Sequence, residues 1–410
     1  MRSGTSNTTR LAHVTTSGIS LRLLLLKQLL AFKDAGLEVY GVSAEGPWAD
    51  ELEQAGSPHI AIPHFTRGSS LRHDLMALKE LRDVFRAHRF DIVHLHNPKP
   101  GILGKVAARL AGVPIIVNTI HGMYGMQTGP GGETVYSFMN PWVLLEAASM
   151  KLAHFDFSQN REDLDWLRRK GWLAEERSLY LGNGVDVNFY SPAKVDARKV
   201  EGLRIKYGIP HGSLVVGMVG RLVWEKGYRE FFAAAERLKA RHPHLVFISV
   251  GPQDGEKKDA IPEDAINRYE SSGIIRFLGM QQEMREVYAL MNIFVLPSYR
   301  EGFPRSAMEA ASLGLPLVLA NIRGCREAVE DGNNGVLVPL HDAVALCAGI
   351  ESLVQQGELR ERMSRASREK ALRDFDERSV IRKTLEVYER LLAARVSPEK
   401  GAARAHSEAI

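Results

Sequence analysis

The chain has 410 residues, 45% of them hydrophobic and 25% charged, the balance of a soluble globular protein of about two to three domains. Its 53 Lys and Arg against 49 Asp and Glu leave a formal net charge of +4, too small to single out nucleic acid as a partner. Two cysteines, Cys325 and Cys347, exclude a disulfide framework and a four-cysteine zinc site, and they fit a reducing compartment.

The first residues, Met1 to Arg10, are polar and lack the apolar core of a signal peptide. Short apolar runs then alternate with longer helical patterns. Strands are expected at Leu11–Thr15, Glu38–Val42, His59–Ile62, Asp91–His96, Ile115–Asn118, His154–Phe157 and Ser178–Leu181. Between them, Leu71–His88 places Leu71, Leu75, Leu78, Leu81 and Phe85 at helical spacing. Such alternation predicts an α/β fold, a parallel sheet with helices on both faces. Asn183-Gly184-Val185-Asp186 and Ser191-Pro192 interrupt it. A second series follows at Leu214–Val219, Leu245–Val250, Ile274–Leu278, Ile293–Leu296, Pro316–Leu319 and Val336–Val338. The expected domains are 1–190 and 191–373, followed by 374–410, where Glu377–Leu392 is an amphipathic helix. The longest apolar candidate, Leu21 to Leu30, is broken by Arg22, Lys27 and Gln28 and falls short of the roughly 18 residues of a spanning helix. A cytoplasmic, non-spanning protein is expected.

In open α/β sheets ligands sit beyond the carboxyl ends of the strands, so the chemistry is sought there. Thr15-Thr16-Ser17-Gly18 ends the first strand, and small residues before a helix leave amides for an anion; this is not the GxGxxG of a dinucleotide site. His121, after the fifth strand and followed by Gly122, is a candidate for cleft chemistry or a satisfied polar residue. His94 and His96 end another strand. No histidine pair has metal-ligand spacing on a helix, so no metal is expected. Gly220-Arg221, with Lys226 five residues on, offers a guanidinium fork and a point charge at a helix start, which suits a diphosphate. The alternative is two solvated cations flanking Glu225. Gly251, and Phe277-Leu278 before Gly279, end two further strands as ordinary turns or as an apolar slot for a planar base. Ser298-Tyr299-Arg300-Glu301-Gly302-Phe303-Pro304 leads into a helix to about Ser312, with Pro304 in its first turn. Glu301 on the loop and Glu309 on the helix can accept hydrogen bonds from the hydroxyls of a ribose and a hexose; a carboxylate pair for hydrolysis is the rival.

Glu301-x7-Glu309, with Gly302-Phe303-Pro304 between, closely resembles the donor-site signature of the family-4 glycosyltransferases of the GT-B fold. Arg221 and Lys226 match the family's diphosphate-binding pair, while His121 and Gly18 fall where it has its sugar-contacting histidine and its glycine loop. The family often has two adjacent glycines in that first loop; here only Gly18 is present. Trp224-x-Lys226-Gly227 and Leu296–Pro304 are most similar to bacterial enzymes that extend undecaprenyl-diphosphate-linked glycans. The resemblance implies two Rossmann-like domains facing across a cleft, acceptor side first, with a C-terminal helix crossing back. It implies retaining transfer of a hexose or N-acetylhexosamine from a nucleoside-diphosphate sugar, UDP by family habit, without metal or cofactor. In it Arg221 and Lys226 neutralise the diphosphate. Glu309 holds the ribose, Glu301 with the Gly302 and Phe303 amides holds the hexose, and His121 lies near the reacting carbon. An epimerase or phosphorylase of the same fold, or a nucleotide-sugar binding module without turnover, is the alternative.

A lipid-linked acceptor also implies a membrane surface. Two patches are candidates for reaching it. One is helix Leu71–His88, with Arg72, Lys79, Arg82 and Arg86 beside an apolar face of Leu71, Leu75, Leu78 and Phe85. The other is Trp166-Leu167-Arg168-Arg169-Lys170-Gly171-Trp172.

Overall fold

The computed structural model describes residues 8–66, 68, 70–96, 98–123, 126–128, 134–136, 141–253 and 258–407; most of the polar first run, residues 1–7, lies outside them. The chain divides into two compact units, 1–125 with 137–181 and 380–410, and 126–136 with 182–379.

In the first unit the strands are β1 (Arg10–Ser17), β2 (Glu38–Ala44), β3 (His59–Ala61), β4 (Ile92–His96), β5 (Ile115–Ile120), β8 (Phe155–Ser158) and β9 (Ser178–Tyr180). They form one parallel sheet in the order β3-β2-β1-β4-β5-β8-β9. β6 (Met126–Thr128) and β7 (Thr134–Tyr136), which fall with the second unit, pair antiparallel. Because the parallel sheet is covered on both faces, its strands are apolar on both. Ala12, Val14, Val93, Leu95 and Ile116 pack one way, with Ala77, Leu81 and Phe85 of helix Leu71–His88. Leu11, Ile92, Ile115 and Val117 pack the other way, with Leu21, Leu25, Leu29 and Phe32. The final helix, Glu377–Ser407, closes this second face: Val380, Val387 and Tyr388 are buried in the same cluster.

The second unit repeats the design with β10 (Val215–Val219), β11 (Val246–Val250), β12 (Ile275–Phe277), β13 (Ile293–Leu296), β14 (Leu317–Ala320) and β15 (Gly335–Val338), all parallel in the order β12-β11-β10-β13-β14-β15. In each sheet the direction of winding reverses once, between β1 and β4 and between β10 and β13, which is where such sheets open a crevice at their carboxyl edge.

Three expectations shift. In helix Leu71–His88 the buried stripe is Asp74, Ala77, Leu81 and Phe85, whereas Leu71 is 78% and Leu75 58% exposed. Asp74 turns inward because Lys99, on helix Pro98–Ala111, reaches its carboxylate at 2.6 Å, and that rotates the first turn's leucines outward. Trp166 and Leu167 are core residues; Trp166 stands edge-on to Trp172 at 5.0 Å, and Arg168 is tied to the Ser178 hydroxyl and carbonyl. The Trp166–Trp172 stretch is therefore packing, not a free aromatic surface. Pro304 caps helix Arg305–Ser312 from just outside rather than lying in its first turn. Among the described residues no helix is long and apolar enough to cross a membrane.

Candidate active site

The carboxyl edge of the second sheet is assembled by close backbone approaches. Gly251 adopts φ 146°, and a Cβ there would lie 2.0 Å from the Gly220 carbonyl oxygen. Its N–H donates to Gly279 at 2.9 Å, and the Gly220 N–H donates to Val250 at 2.9 Å. The ends of β10, β11 and β12 thus sit flush. Gly227 (φ 82°) begins helix Tyr228–Arg241, and a Cβ on it would lie 2.1 Å from the Pro297 carbonyl oxygen. Only a left-handed residue without a side chain fits. That approach brings the Arg221–Lys226 loop against the Ser298–Pro304 loop, and the Tyr299 N–H seals it by donating to the Glu225 carbonyl at 2.9 Å. From the far side Gly324 comes so close that a Cβ would meet the Glu301 carbonyl at 2.4 Å.

On this frame Lys226 and Glu301 meet. Lys226 Nζ lies 2.5 Å from Glu301 Oε1, and the buried Ser298 hydroxyl donates to the same oxygen at 2.7 Å. The pair is mostly shielded, with side chains 21% and 11% exposed. Arg221 occupies the turn between Gly220 and the Val223 N–H, which donates to the Arg221 carbonyl at 2.8 Å. Glu309 projects from helix Arg305–Ser312 and is buried. The Tyr288 hydroxyl donates to Oε2 at 2.9 Å and Arg305 Nε to Oε1 at 2.9 Å. Burial and the Glu309 charge push the Tyr288 hydroxyl well above its ordinary range. Burial opposes the charge on Arg305, yet Glu309 leaves its pKa raised. Each ionised carboxylate oxygen accepts more than one hydrogen bond, so both glutamates keep capacity for ligand hydroxyls. The adjacent thiol is no nucleophile: burial, and then the Glu301 charge, hold Cys325 protonated.

Phe303 contributes its amide to the loop and its ring to the core, edge-on to Phe375 at 5.6 Å. Phe277 is half-buried with its ring 6.2 Å from Phe232. The Leu278 side chain is buried, and its carbonyl accepts from Gln281 and Tyr207. At that strand end Leu278 offers backbone rather than an apolar face.

In the first unit Gly18 follows β1 and begins a helical stretch; a Cβ on it would be 3.4 Å from Trp48 Cβ. His121 follows β5 and is half-buried, with both ring nitrogens engaged: Nε2 lies 3.0 Å from His96 Nδ1, and Nδ1 lies 3.0 Å from Gln159 Oε1. Behind it, the buried His13, His94 and His96 place ring nitrogens within 4.8 Å of one another, a grouping among the described residues that could hold a metal. Each of those nitrogens already has a hydrogen-bond partner: His13 Nδ1 meets His96 Nε2 at 2.8 Å, and His94 meets Tyr388 at 2.5 Å and Thr119 at 2.7 Å. The other His13 nitrogen meets Tyr388 at 3.4 Å. A metal would have to displace these bonds. Burial alone holds His13 down to about 3 and, against the Gln159 hydrogen bond, His121 to about 4. Burial and the neighbouring imidazoles hold His94 and His96 well below the ordinary value. All four rings are neutral at pH 7.

The sequence pattern brought Arg221, Lys226, Glu301 and Glu309 to notice, and the structure sets all four on the second unit. It did not single out Ser298, Arg305 or Tyr288, which hold the two carboxylates. Arg305 carried a signal, four residues before Glu309 on one helix. His13 carried almost none: it belongs with His94 only because β1 lies beside β4 with those two residues in register.

Comparison with known proteins fits this geometry. Residues 200–370 match the model for glycosyl transferases group 1, and residues 17–184 match the glycosyl transferase 4-like domain. The chain is 31% identical over 303 residues to an Escherichia coli UDP-Gal:alpha-D-GlcNAc-diphosphoundecaprenol alpha-1,3-galactosyltransferase, covering 72% of this chain and 74% of that one. It is 25% identical over 388 residues to the N,N'-diacetylbacillosaminyl-diphospho-undecaprenol alpha-1,3-N-acetylgalactosaminyltransferase of Campylobacter jejuni, covering 93% and 99%. Among solved structures, HepE of Anabaena in complex with UDP and glucose superposes with a TM-score of 0.75 at 20% identity, over 93% of this chain and 99% of that one. That likeness is one of fold.

Proposed function

We propose, for a chain that belongs to the group 1 glycosyl transferases and carries their 4-like first domain, that it moves a hexose or N-acetylhexosamine from a UDP-sugar to an undecaprenyl-diphosphate-linked glycan, with retention of configuration, in bacterial cell-surface polysaccharide synthesis. It is a glycosyltransferase of GT-B type; donor, acceptor and stereochemistry are the proposal. The observation that carries it is the Lys226–Ser298–Glu301 cluster ahead of helix Arg305–Ser312, with Glu309 held on that helix.

Lys226 and Arg221 neutralise the charge that develops on the departing diphosphate. Such stabilisation acts only where the charge appears, and therefore speeds the reaction. Glu301, with the Gly302 and Phe303 amides and Pro304 capping the helix, accepts from the hexose hydroxyls. Glu309 accepts from the ribose, held in place by Tyr288 and Arg305. The ends of β11 and β12, at Gly251, Phe277 and Leu278, take the base. Gly18 serves the diphosphate and His121 the sugar. The pairing of Lys226 with Glu301 has a further use. It keeps an ammonium desolvated and in place before the donor arrives, so less reorganisation is left for the transition state.

The name of the Escherichia coli relative supports the UDP assignment, and the names of both relatives support the diphosphoundecaprenol one. An acceptor of that kind requires work at a membrane face, and Leu71 and Leu75, beside Arg72 and Lys79, are exposed and suited to it. The test is a panel of UDP- and GDP-sugars offered with lipid-diphosphate acceptors in anionic liposomes, with the product's anomeric configuration read by NMR. Transfer from a UDP-sugar with retention is expected. Leu71→Ser with Leu75→Ser is expected to weaken liposome binding but leave transfer to a detergent-dispersed acceptor intact. Inversion, or turnover only with GDP-sugars, would overturn the reading.

A further inference from the structure

The four histidines behind β5 form a continuous line, and each link can be followed. Thr119 Oγ1 meets His94 Nε2 at 2.7 Å, and His94 Nδ1 meets Tyr388 Oη at 2.5 Å. Tyr388 Oη meets His13 Nε2 at 3.4 Å, the longest link. His13 Nδ1 meets His96 Nε2 at 2.8 Å, His96 Nδ1 meets His121 Nε2 at 3.0 Å, and His121 Nδ1 ends on Gln159 Oε1 at 3.0 Å. The sheet makes the line. His13 and His94 are in register on β1 and β4, as are His96 and Thr119 on β4 and β5, and the side chains share the face that Tyr388 covers. His13, His94 and His96 are 2% exposed or less, so water does not complete any valence.

A neutral imidazole has one donor nitrogen and one acceptor nitrogen. Once one end of such a line is fixed, every proton in it is fixed. The amide of Gln159 can turn over, so the end that decides is Thr119: its hydroxyl has His94 Nε2 as its partner and donates to it. With Gln159 presenting its carbonyl oxygen at the other end, His121 Nδ1 carries a proton and Nε2 accepts. His96 then donates from Nδ1 and accepts at Nε2, and His13 repeats the pattern. The Tyr388 hydroxyl donates to His13 and accepts from His94 Nδ1, and the Thr119 hydroxyl supplies His94 Nε2. Every group is satisfied once and no charge is needed. Reversing a single ring would set two donors, or two lone pairs, face to face in a dry interior, which is costly.

We propose that Tyr388, His13 and His96 are positioning residues for His121, and that this one-way line of hydrogen bonds fixes its ring as the Nδ1–H tautomer. All four rings carry the proton on Nδ1, although a free neutral imidazole side chain in water favours Nε2. The depressed basicity of the four rings agrees with a neutral line. The consequence for chemistry rests on the sugar-transfer reading. There His121 meets the sugar as an uncharged ring with no lone pair to spare. It cannot take the acceptor's proton, and it adds no positive charge beside a carbon that is itself becoming positive. The final helix, which supplies Tyr388, takes part in setting that state.

Long-range proton–nitrogen NMR of protein labelled with 15N-histidine, with signals assigned by single substitutions, tests the line without any substrate. The wild type is expected to show His13, His94, His96 and His121 as neutral Nδ1–H tautomers. Tyr388→Phe removes the hydroxyl that links His94 to His13. Cut off from Thr119, the His13–His96–His121 stretch can run either way as the Gln159 amide turns over. His121 is then expected to populate both tautomers, and kcat to fall about tenfold, as for a mispositioned group, with the donor KM unchanged. Val387→Ala, on the same helix and in the same core but outside the line, is expected to lower stability while leaving the tautomers and kcat alone. If Tyr388→Phe fails to fold, His13→Gln interrupts the line from the sheet side and carries the same expectation. An Nε2–H signal for His121 in the wild type would overturn the proposal. So would an unmoved His121 signal in Tyr388→Phe, or joint shifts of His13, His94 and His96 on adding Zn(II), which would make the cluster a metal site. Absence of transfer with every donor would sink the proposed function and leave the NMR result standing.

Discussion

The two units are built on one plan and store their polar groups in different places. In the second sheet the strands are filled with Val, Ile, Leu and Phe, and the chemistry lies on loops past their ends: Arg221, Lys226, Glu301. In the first, the strands themselves change character along their length. Leu11 gives way to His13, Ile92 to His94 and then His96, and Val117 to Thr119, in steps of two residues on the same face. A polar loop is stabilised by water on one side. A polar tier inside a sheet has only itself and must be satisfied internally. The second unit should therefore be sensitive to loss of charge, and the first to loss of its cover or its neutrality.

The largest expected effect comes from removing the cover. A chain ending at Ser379 keeps Phe375, which packs on Phe303 in the second unit, and loses Val380, Val387 and Tyr388 from the first. Each such buried side chain is worth roughly 2 kcal/mol. Calorimetry is expected to show the first unit's transition lost and the second's retained; two unchanged transitions would break the contrast.

Acid is the next lever. His13 and His121 sit at about 3 and about 4 when folded, below the ordinary value of about 6.5. The unfolded chain therefore binds more protons, and stability is full above pH 6.5 and falls as pH drops toward 4. Each depressed histidine contributes a slope of about 1.4 kcal/mol per pH unit in that window. No histidine of the second unit is buried among the described residues. Hydrogen exchange at pH 4.5 is expected to show the first unit opening while the second stays protected; equal protection would count against the neutral tier.

Charge is the second unit's lever. Lys226→Ala and Arg221→Ala are each expected to lower kcat/KM about 100-fold, close to 3 kcal/mol of transition-state stabilisation, with melting little changed. Normal kcat/KM would remove these residues from the donor site. The smallest expected effect is that of a chelator: with two cations assigned to the diphosphate, activity should persist in EDTA. Loss in EDTA with recovery on adding magnesium or manganese would show that a metal shares that work.

Much of this is legible in the sequence alone. Strand positions followed from the apolar runs to within a residue or two, because buried parallel strands have little freedom of composition. Glu301 and Glu309 stood out because loop and helix residues near in sequence stay near in space. Two kinds of fact were not legible. His13 needs the order of the strands, which no local pattern contains. The exposure of Leu71 and Leu75 depends on Asp74 finding Lys99 on another helix, a partner that periodicity cannot see. In the sequence Lys226 and Glu301 stand only as separate ligand groups, and their meeting at 2.5 Å depends on the approach of Gly227 to Pro297.

The final helix has one more consequence, and it concerns how the molecule is made. Tyr388 touches His13 across 375 positions of chain. A ribosome releases the last strand of the first sheet roughly two hundred residues before the helix that covers it. At about 5 to 20 residues per second, the nascent sheet waits about 10 to 40 s with Leu21, Leu25, Leu29 and Phe32 lacking their lid. The first unit to be synthesised is thus the last to be finished. Its folding can be completed only once the chain through Tyr388 has been made, and until then it presents an apolar face to chaperones.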